Sequence, residues 1–294
     1  MRDKSAGARA YRIFSLVVLI VMAILFLFPL YWIITGALKP PAAINSPIPQ
    51  WWPKEFTLRN FQVLFSKRSA PLFQLGSVVG PTVPGAIRWL INTVFMAVMA
   101  MLLTCLTASM AGYALAKKRF VGRTVLFSLI VAAMALPKQV ILIPLIREMS
   151  ALGLYDNIWA VIFPTVGWPF GVFLMKQFSE GIPGEMIEAA RIDGEGEIMT
   201  FATTVYPMIK PGVGALAIFT FINSWNDYFL QLIMLTSSSN LTISLGIATM
   251  QAENSTDFGL IMAGSALAAV PIIVVFLIFQ KYFTKGITMG AVKG

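Results

Sequence analysis

Residues 185–211 read EMIEAARIDGEGEIMTFATTVYPMIKP, a polar, acidic island between long apolar segments. Within it Glu188, Ala189 and Ala190 stand together, Gly194 follows at a short interval, and Pro207 and Pro211 close the stretch. In a chain that is otherwise largely apolar, such an island must lie in water. Its internal order points to a folded docking element rather than a slack connection.

The flanking composition supports that setting. The chain has 294 residues, of which 57% are hydrophobic and 12% charged. An ordinary soluble domain carries roughly 25% charged residues. The apolar residues are gathered into runs, which makes the class a polytopic membrane protein. The net charge of +9 does not argue for nucleic acid, because the basic residues flank apolar runs and form no stripe interleaved with aromatics. Cys105 stands alone in an apolar run, so no internal disulfide is available. The absence of His removes imidazole from any catalytic or metal-binding scheme.

A helix needs about 20 apolar residues to cross the hydrocarbon core. Six stretches qualify: 13–35, 89–116, 125–146, 158–178, 212–235 and 260–283. The expected fold is therefore all-α, with six transmembrane helices. The first run is too long for a signal-peptide core and no small-residue cleavage site follows it, so it reads as a retained anchor. Pro29, Pro137, Pro144, Pro164, Pro169 and Pro271 fall inside spans. Each is either a fixed kink or a bend around a pathway, since buried proline is tolerated where neighbours or cavity water satisfy the freed carbonyl.

Orientation follows from Lys and Arg near the span ends. Segment 1–12 carries Arg2, Lys4, Arg9 and Arg12, and the second connection carries Lys117, Lys118, Arg119 and Arg123. The end of the chain, with segment 284–294, adds Lys281, Lys285 and Lys293. Connection 147–157 has only Arg147, and connection 236–259 has no Lys or Arg. Both termini and the island are thus expected in the cytoplasm. Loop 36–88, rich in Pro and Trp, is expected outside and partly ordered. The core is expected over 89–283, with loop 179–211 as its cytoplasmic connection.

Within the island, Gly181, Pro183 and Gly184 end the fourth span. Pro183 suits a first helical turn, where its missing N–H costs nothing. Glu185 and Glu188 suit the positive end of the helix dipole. The helix continues through Ala189, Ala190, Arg191 and Ile192, with Asp193 at its end and Gly194 supplying a turn that accepts positive φ. The two alanines leave a shallow face able to enter a cleft. A second helix from about Glu195 returns to the membrane near Pro207 and Pro211. A plain interfacial linker is the alternative, but interfacial helices are generally basic. Here Glu180, Glu185, Glu188, Asp193, Glu195 and Glu197 face only Lys176, Arg191 and Lys210, which favours a protein partner.

The spacing of Glu188-Ala189-Ala190, Gly194 and Pro207 resembles the EAA loop of the permease subunits of ABC importers. Thr204 and Tyr206 replace the usual apolar residues before the proline. LPKQVILIPL at 136–145, GLYDNIWA at 153–160, FINSWNDYF at 221–229 and GAVKG at 290–294 are similar to further signatures of carbohydrate importer permeases, in the same order. The resemblance covers roughly residues 85–294 and is closest to the smaller membrane subunit of the maltose type. It implies a type I ABC importer permease fold whose coupling helix carries Glu185, Glu188, Ala189, Ala190, Arg191, Asp193, Gly194 and Pro207. It implies a bacterial inner-membrane assembly with a second, homologous permease, an ATPase dimer, an external solute-binding protein and a sugar or oligosaccharide substrate. ATP and Mg would sit on the ATPase subunits, because this chain has no G-x-x-x-x-G-K-[ST] phosphate loop and carries no cofactor of its own. The resemblance also places the C-terminal tail, with Gly290 and Lys293, between the paired ATPases.

Inside the expected fifth span, Asn223, Trp225, Asn226, Asp227 and Tyr228 put polar groups in apolar surroundings. Asn223, Asn226 and Asp227 recur at i, i+3 and i+4, on one helix face. An intramembrane Asp usually faces the bundle interior or water. The cluster either bonds helices together or lines a sugar path, where amides and carboxylates meet hydroxyls and aromatic rings stack on pyranose faces. Lys138 and Gln139 form a second polar pair, and Trp168 a third candidate. A pairing of Lys138 with Asp227 is possible chemically, but the sequence does not place them together.

A secondary transporter would also explain six kinked spans and a buried Asp, but would not need the acidic docking loop. An intramembrane aspartyl protease needs two carboxylates within the membrane, and only Asp227 falls in a span. A structural assembly protein fits the physics but not the series of motifs. The solute is left open, from maltodextrin and uronate oligomers to a non-sugar such as glycerol phosphate.

Overall fold

The computed structural model describes residues 6–75, 78–253 and 257–291. Among these described residues five helices are long and apolar enough to cross a membrane: Gly7–Ala37, Gly85–Lys117, Trp159–Glu180, Glu197–Asn226 and Phe258–Gln280. A sixth crossing is available if Arg123–Ala133 and Lys138–Ala151 count as one span, although they are bent by 101°. The fold is helical apart from two short two-stranded ladders, Ser69–Pro71 with Thr82–Pro84 and Gln74–Leu75 with Val78–Val79.

The chain divides into two compact units. One comprises Met1–Ser69 and Ile247–Ala269. Its long first helix, Ala6–Ala37, exposes a ring of apolar side chains such as Ile13, Leu19, Phe26 and Leu27. Lipid is the solvent that makes such a surface favourable. The helix end is closed by Asn60, buried, whose amide donates to Ala37 O at 2.8 Å and Lys39 O at 2.9 Å. Lys39 is buried too, with its ammonium donating to Gln50 O and lying 4.3 Å from the Trp32 ring centre. The stretch from Ala37 to Asn60 is thus tied together by buried polar contacts.

The other unit comprises Ala70–Gly246 and Val270–Gly294. Its axis is helix Gly85–Lys117, which packs most extensively on Phe170–Glu180 and Tyr206–Asn226. Along the middle of that axis the buried side is rich in small residues, including Ala97, Ala100, Ala108 and Gly112. Small side chains let membrane helices approach closely. At Gly112 an added Cβ would lie 2.6 Å from Lys176 N, so the two backbones touch.

Two spans depart from the sequence expectation. The third, expected over 125–146 as one span kinked at its prolines, breaks outright before Pro137, which has φ −61° and ψ 132°. Proline cannot donate the helical bond and forces its predecessor out of the helical region. The chain resumes as a tight turn at Lys138–Ile141 and then Leu142–Ala151. The fifth, expected over 212–235, instead runs through Glu197–Asn226. Pro207 and Pro211 do not break it, because a widened π turn over Phe201–Val205 precedes Pro207 and absorbs the missing bond. The helix stops at Asp227 (φ −76°, ψ 66°), and Tyr228–Met234 forms a separate short helix. The polar cluster therefore lies at a helix end and not in mid-span, and of the three polar residues Asn223 and Asp227 line one cavity while Asn226 does not. The last helix extends beyond 260–283, covering Phe258–Ala291 with Gly290 inside it. Arg2, Lys4 and Lys293 lie outside the described residues.

Candidate functional site

The island folds as expected up to its second proline. Pro183, extended at φ −61° and ψ 135°, precedes helix Gly184–Ile192 rather than joining its first turn. At the other end Gly194 has φ +84°. Its N–H donates to Arg191 O at 3.1 Å, and the Glu195 N–H donates to Ala190 O at 3.0 Å. These two bonds with a left-handed residue between them form a Schellman closure, which satisfies carbonyls the helix leaves open.

One side of this short helix is anchored. Ile187 joins Ile182, Tyr113, Met175, Val205 and Ile209 in a single apolar cluster fed by the second, fourth and fifth spans. Ala190 is 6% exposed, so only Ala189 of the alanine pair faces outward. The shallow face is thus narrower than expected. Glu185, Glu188, Arg191, Asp193 and Gly194 are exposed, as is Pro207 on the following helix. Ile192, at 86% exposure, and Met186 add apolar surface beside these carboxylates.

Much of the island's negative charge is balanced within the chain. Glu197 pairs with Lys118 and, at 3.0 Å, with Arg191. Glu180 pairs with Lys176. Glu195 accepts from the Thr203 hydroxyl at 2.8 Å. Lys117 donates to Glu180 O at 3.1 Å and Ile182 O at 2.6 Å, covering the end of the preceding helix. Among the described residues no ion pair engages Glu185, Glu188 or Asp193. The basic residues expected only to fix topology therefore also tie the island to the second span.

A second site is a cavity of about 220 Å³ whose lining includes Lys138, Trp168, Asn223 and Asp227. The break at Pro137 and the break at Asp227 bring the two charges together, with Lys138 Nζ 2.9 Å from Asp227 Oδ2. The same ammonium lies 4.9 Å from the Trp168 ring centre, within cation–π range. Asp227 Oδ1 also accepts from Leu230 N at 3.4 Å, at the start of the next helix. The remaining candidates do not line this cavity. Trp225 is 2% exposed and stacks on Phe221, Asn226 donates to Ile222 O at 2.9 Å, and Gln139 and Tyr228 are exposed elsewhere.

Sequence reasoning passed over Asp156, which organises two connections. It adopts φ +58°, a conformation Asp tolerates better than most residues. Its carboxylate accepts from Thr236 N at 2.7 Å, from Ser237 N at 2.9 Å and from the Ser237 hydroxyl. Burial acts to raise its pKa, but the hydrogen bonds from Ser237 and Thr236 outweigh it and hold the group below the usual carboxylate range. The signal available was its place in GLYDNIWA, read as a motif without a role.

Residues 106–289 match the family described as binding-protein-dependent transport system inner membrane component. The arabinooligosaccharides transport system permease protein AraQ of Bacillus subtilis (strain 168) is 32% identical over 97% of this chain and 96% of its own length. The trehalose/maltose transport system permease protein MalG of Thermococcus litoralis is 29% identical over 96% of this chain and 97% of its own. Among solved structures, a chain from a bacterial ABC transporter involved in the import of the acidic polysaccharide alginate superposes with a TM-score of 0.76. It is 22% identical and covers 96% of this chain and 100% of its own.

Proposed function

The chain belongs to the family of binding-protein-dependent transport system inner membrane components, and from that premise we propose that it is the smaller-type permease subunit of an ATP-driven importer of a sugar or oligosaccharide. It is not itself an enzyme. Its partners are a second permease, a pair of ATPase subunits and an external solute-binding protein. The relatives named for arabinooligosaccharides and for trehalose/maltose support the substrate class.

Helix Gly184–Ile192 serves as the coupling helix that seats in the ATPase. The observation that carries this role is the division of its surface. Ile187 is locked into the apolar cluster shared with three spans, while Glu185, Glu188 and Asp193 face outward without an internal ion pair. A soluble partner bearing Arg or Lys complements that face. Loop 179–211, the N-terminal segment 1–12 and the tail 284–294 are then cytoplasmic, and 36–88 is external. Gly290 and Lys293 belong to the part of the chain that reaches toward the ATPases.

Reversing Glu188 tests this role. A desolvated charge pair that loses one partner leaves the other uncompensated, at a cost of roughly 3–5 kcal/mol. Glu188→Lys is expected to insert normally but to lose ATPase co-purification or to uncouple hydrolysis from uptake. Wild-type values for both in this variant would reduce the island to a linker.

A further inference from the structure

We propose that the cavity between the two helix breaks is a subsite for one uncharged sugar ring, held by this subunit itself. The proposal rests on the importer reading and narrows it to a substrate class.

Four observations converge on it. First, the cavity lining holds one cation and one anion, Lys138 and Asp227, and they neutralise each other at 2.9 Å. A uronate carboxylate entering here would compete with Asp227 for Lys138 and leave one carboxylate unpaired. Unpaired charge is how a site rejects a wrong ligand. A hydroxyl group meets no such conflict, since Lys138 can donate to it and Asp227 can accept from it.

Second, Thr104 is 3% exposed, lines the cavity, and its hydroxyl has no hydrogen-bond partner. A buried hydroxyl without a partner is costly. The Thr104 oxygen is closed off as the side chain stands, and a turn about χ1 would exchange it with the methyl group and bring it to a ligand hydroxyl in the cavity. Third, the Asn223 amide already donates to Phe219 O at 2.8 Å, which leaves its oxygen to accept from a ligand. Fourth, the rest of the wall is largely apolar and aromatic, with Trp168, Phe170, Phe219 and Phe229. Few polar groups on an apolar wall are the usual make-up of a small-molecule site. The volume of about 220 Å³ is below the roughly 300–1,000 Å³ of sites for drug-sized ligands. That suits a single ring, with the rest of an oligosaccharide continuing through the mouth.

The test uses the full complex, co-expressed with its partner subunits and held in lipid nanodiscs. Saturation-transfer NMR is recorded with methyl glucoside, methyl galactoside and methyl glucuronide. The neutral glycosides are expected to receive saturation and the glucuronide little. Thr104→Val should weaken the better neutral glycoside about 5-fold, as loss of one net hydrogen bond implies, and Thr104→Ser should restore it. Asp227→Asn keeps a side chain able to cap Tyr228–Met234 but leaves Lys138 uncompensated. It should shift the glucuronide-to-glucoside affinity ratio about tenfold toward the glucuronide. ATPase co-purification is measured on the same samples. A wild-type complex that retains its ATPases yet gives no signal with either neutral glycoside overturns the subsite alone. So do responses indifferent to Thr104 and Asp227. Failure of the wild-type chain to retain any ATPase rejects the importer reading.

Discussion

Gly194 isolates backbone geometry from side-chain contact. Its φ is +84°, and a Cβ built there meets nothing within 4 Å. Any penalty on substitution is therefore conformational and not steric crowding by neighbours. An L-residue forced into the left-handed region costs about 1–2 kcal/mol. The alternative is to relax the turn and give up the bonds from Gly194 N–H to Arg191 O and from Glu195 N–H to Ala190 O. At about 1 kcal/mol net each, that route costs about 2 kcal/mol. Either way the properly closed helix becomes roughly 5- to 30-fold less populated. Gly194→Val, β-branched, should sit at the upper end, Gly194→Ala lower, and Gly194→Asn lower still, because Asn visits this region readily. Gly196 supplies the control, with equally open space but φ −71°, so Gly196→Ala should cost only the difference between glycine and alanine as an N-cap, about 0.5 kcal/mol. The assay is substrate-stimulated ATP hydrolysis and uptake in proteoliposomes, with hydrogen exchange at the Glu195 amide reporting the closure directly. A Gly194→Val complex as well coupled as Gly196→Ala would refute the reasoning. Equal damage from Asn and Val would show that φ is not the determinant.

Asp156 ties connection 152–158 to connection 235–242, and its depressed pKa means its contribution is present above about pH 4 and lost as pH falls through the lower folded value. Asp156→Ala should cost about 1–2 kcal/mol at pH 7, seen as a lower unfolding temperature, and the gap to wild type should narrow as pH is lowered from about 4; a gap that shows no trend with falling pH would assign the loss to packing. For topology, single cysteines placed near Arg119 and Glu188 should label only from the cytoplasmic side, and those near Trp52, Tyr155 and Glu253 only from outside. One reversed pair would overturn the N-in orientation.

The short helix was legible because its ends are written in local chemistry. Pro183 fixes one end, Gly194 the other, and the Schellman bonds follow from that glycine. The third-span break was legible as a kink at Pro137 but not as a 101° turn, since the angle depends on what each half packs against. The fifth span was misplaced for a specific reason. Pro207 and Pro211 read as a boundary, whereas a π turn lets the helix pass through them. That single shift moved Asn223 and Asp227 from mid-span to a helix end. The pairing of Lys138 with Asp227 joins residues far apart in sequence through two backbone breaks, and no local pattern encodes it. Trp225 was misjudged by residue type alone, because an aromatic among polar neighbours can as readily be core as lining.

The charges of the island show how the proposed docking element can be both acidic and rigid. Counted along the sequence, its acids outnumber its bases. In the fold they divide by role. Glu197 is held by Lys118 and Arg191, and Glu180 by Lys176. Exposed pairs of this kind contribute little stability, about 0–1 kcal/mol. Their effect is geometric, since Arg191 belongs to the short helix, Glu197 to the next and Lys118 to the end of the second span. They hold the helix's direction while Ile187 holds its position. Close-packed interiors transmit displacement because they compress little. A push on the outward carboxylates is therefore passed to three spans at once, through the cluster of Tyr113, Met175, Val205 and Ile209. The fifth span, which carries Val205 and Ile209, ends at the break beside Asp227, so the element that receives the push also forms one wall of the cavity. One continuous helix, Glu197–Asn226, thus links the cluster that seats Ile187 to the place where Lys138 and Asp227 meet.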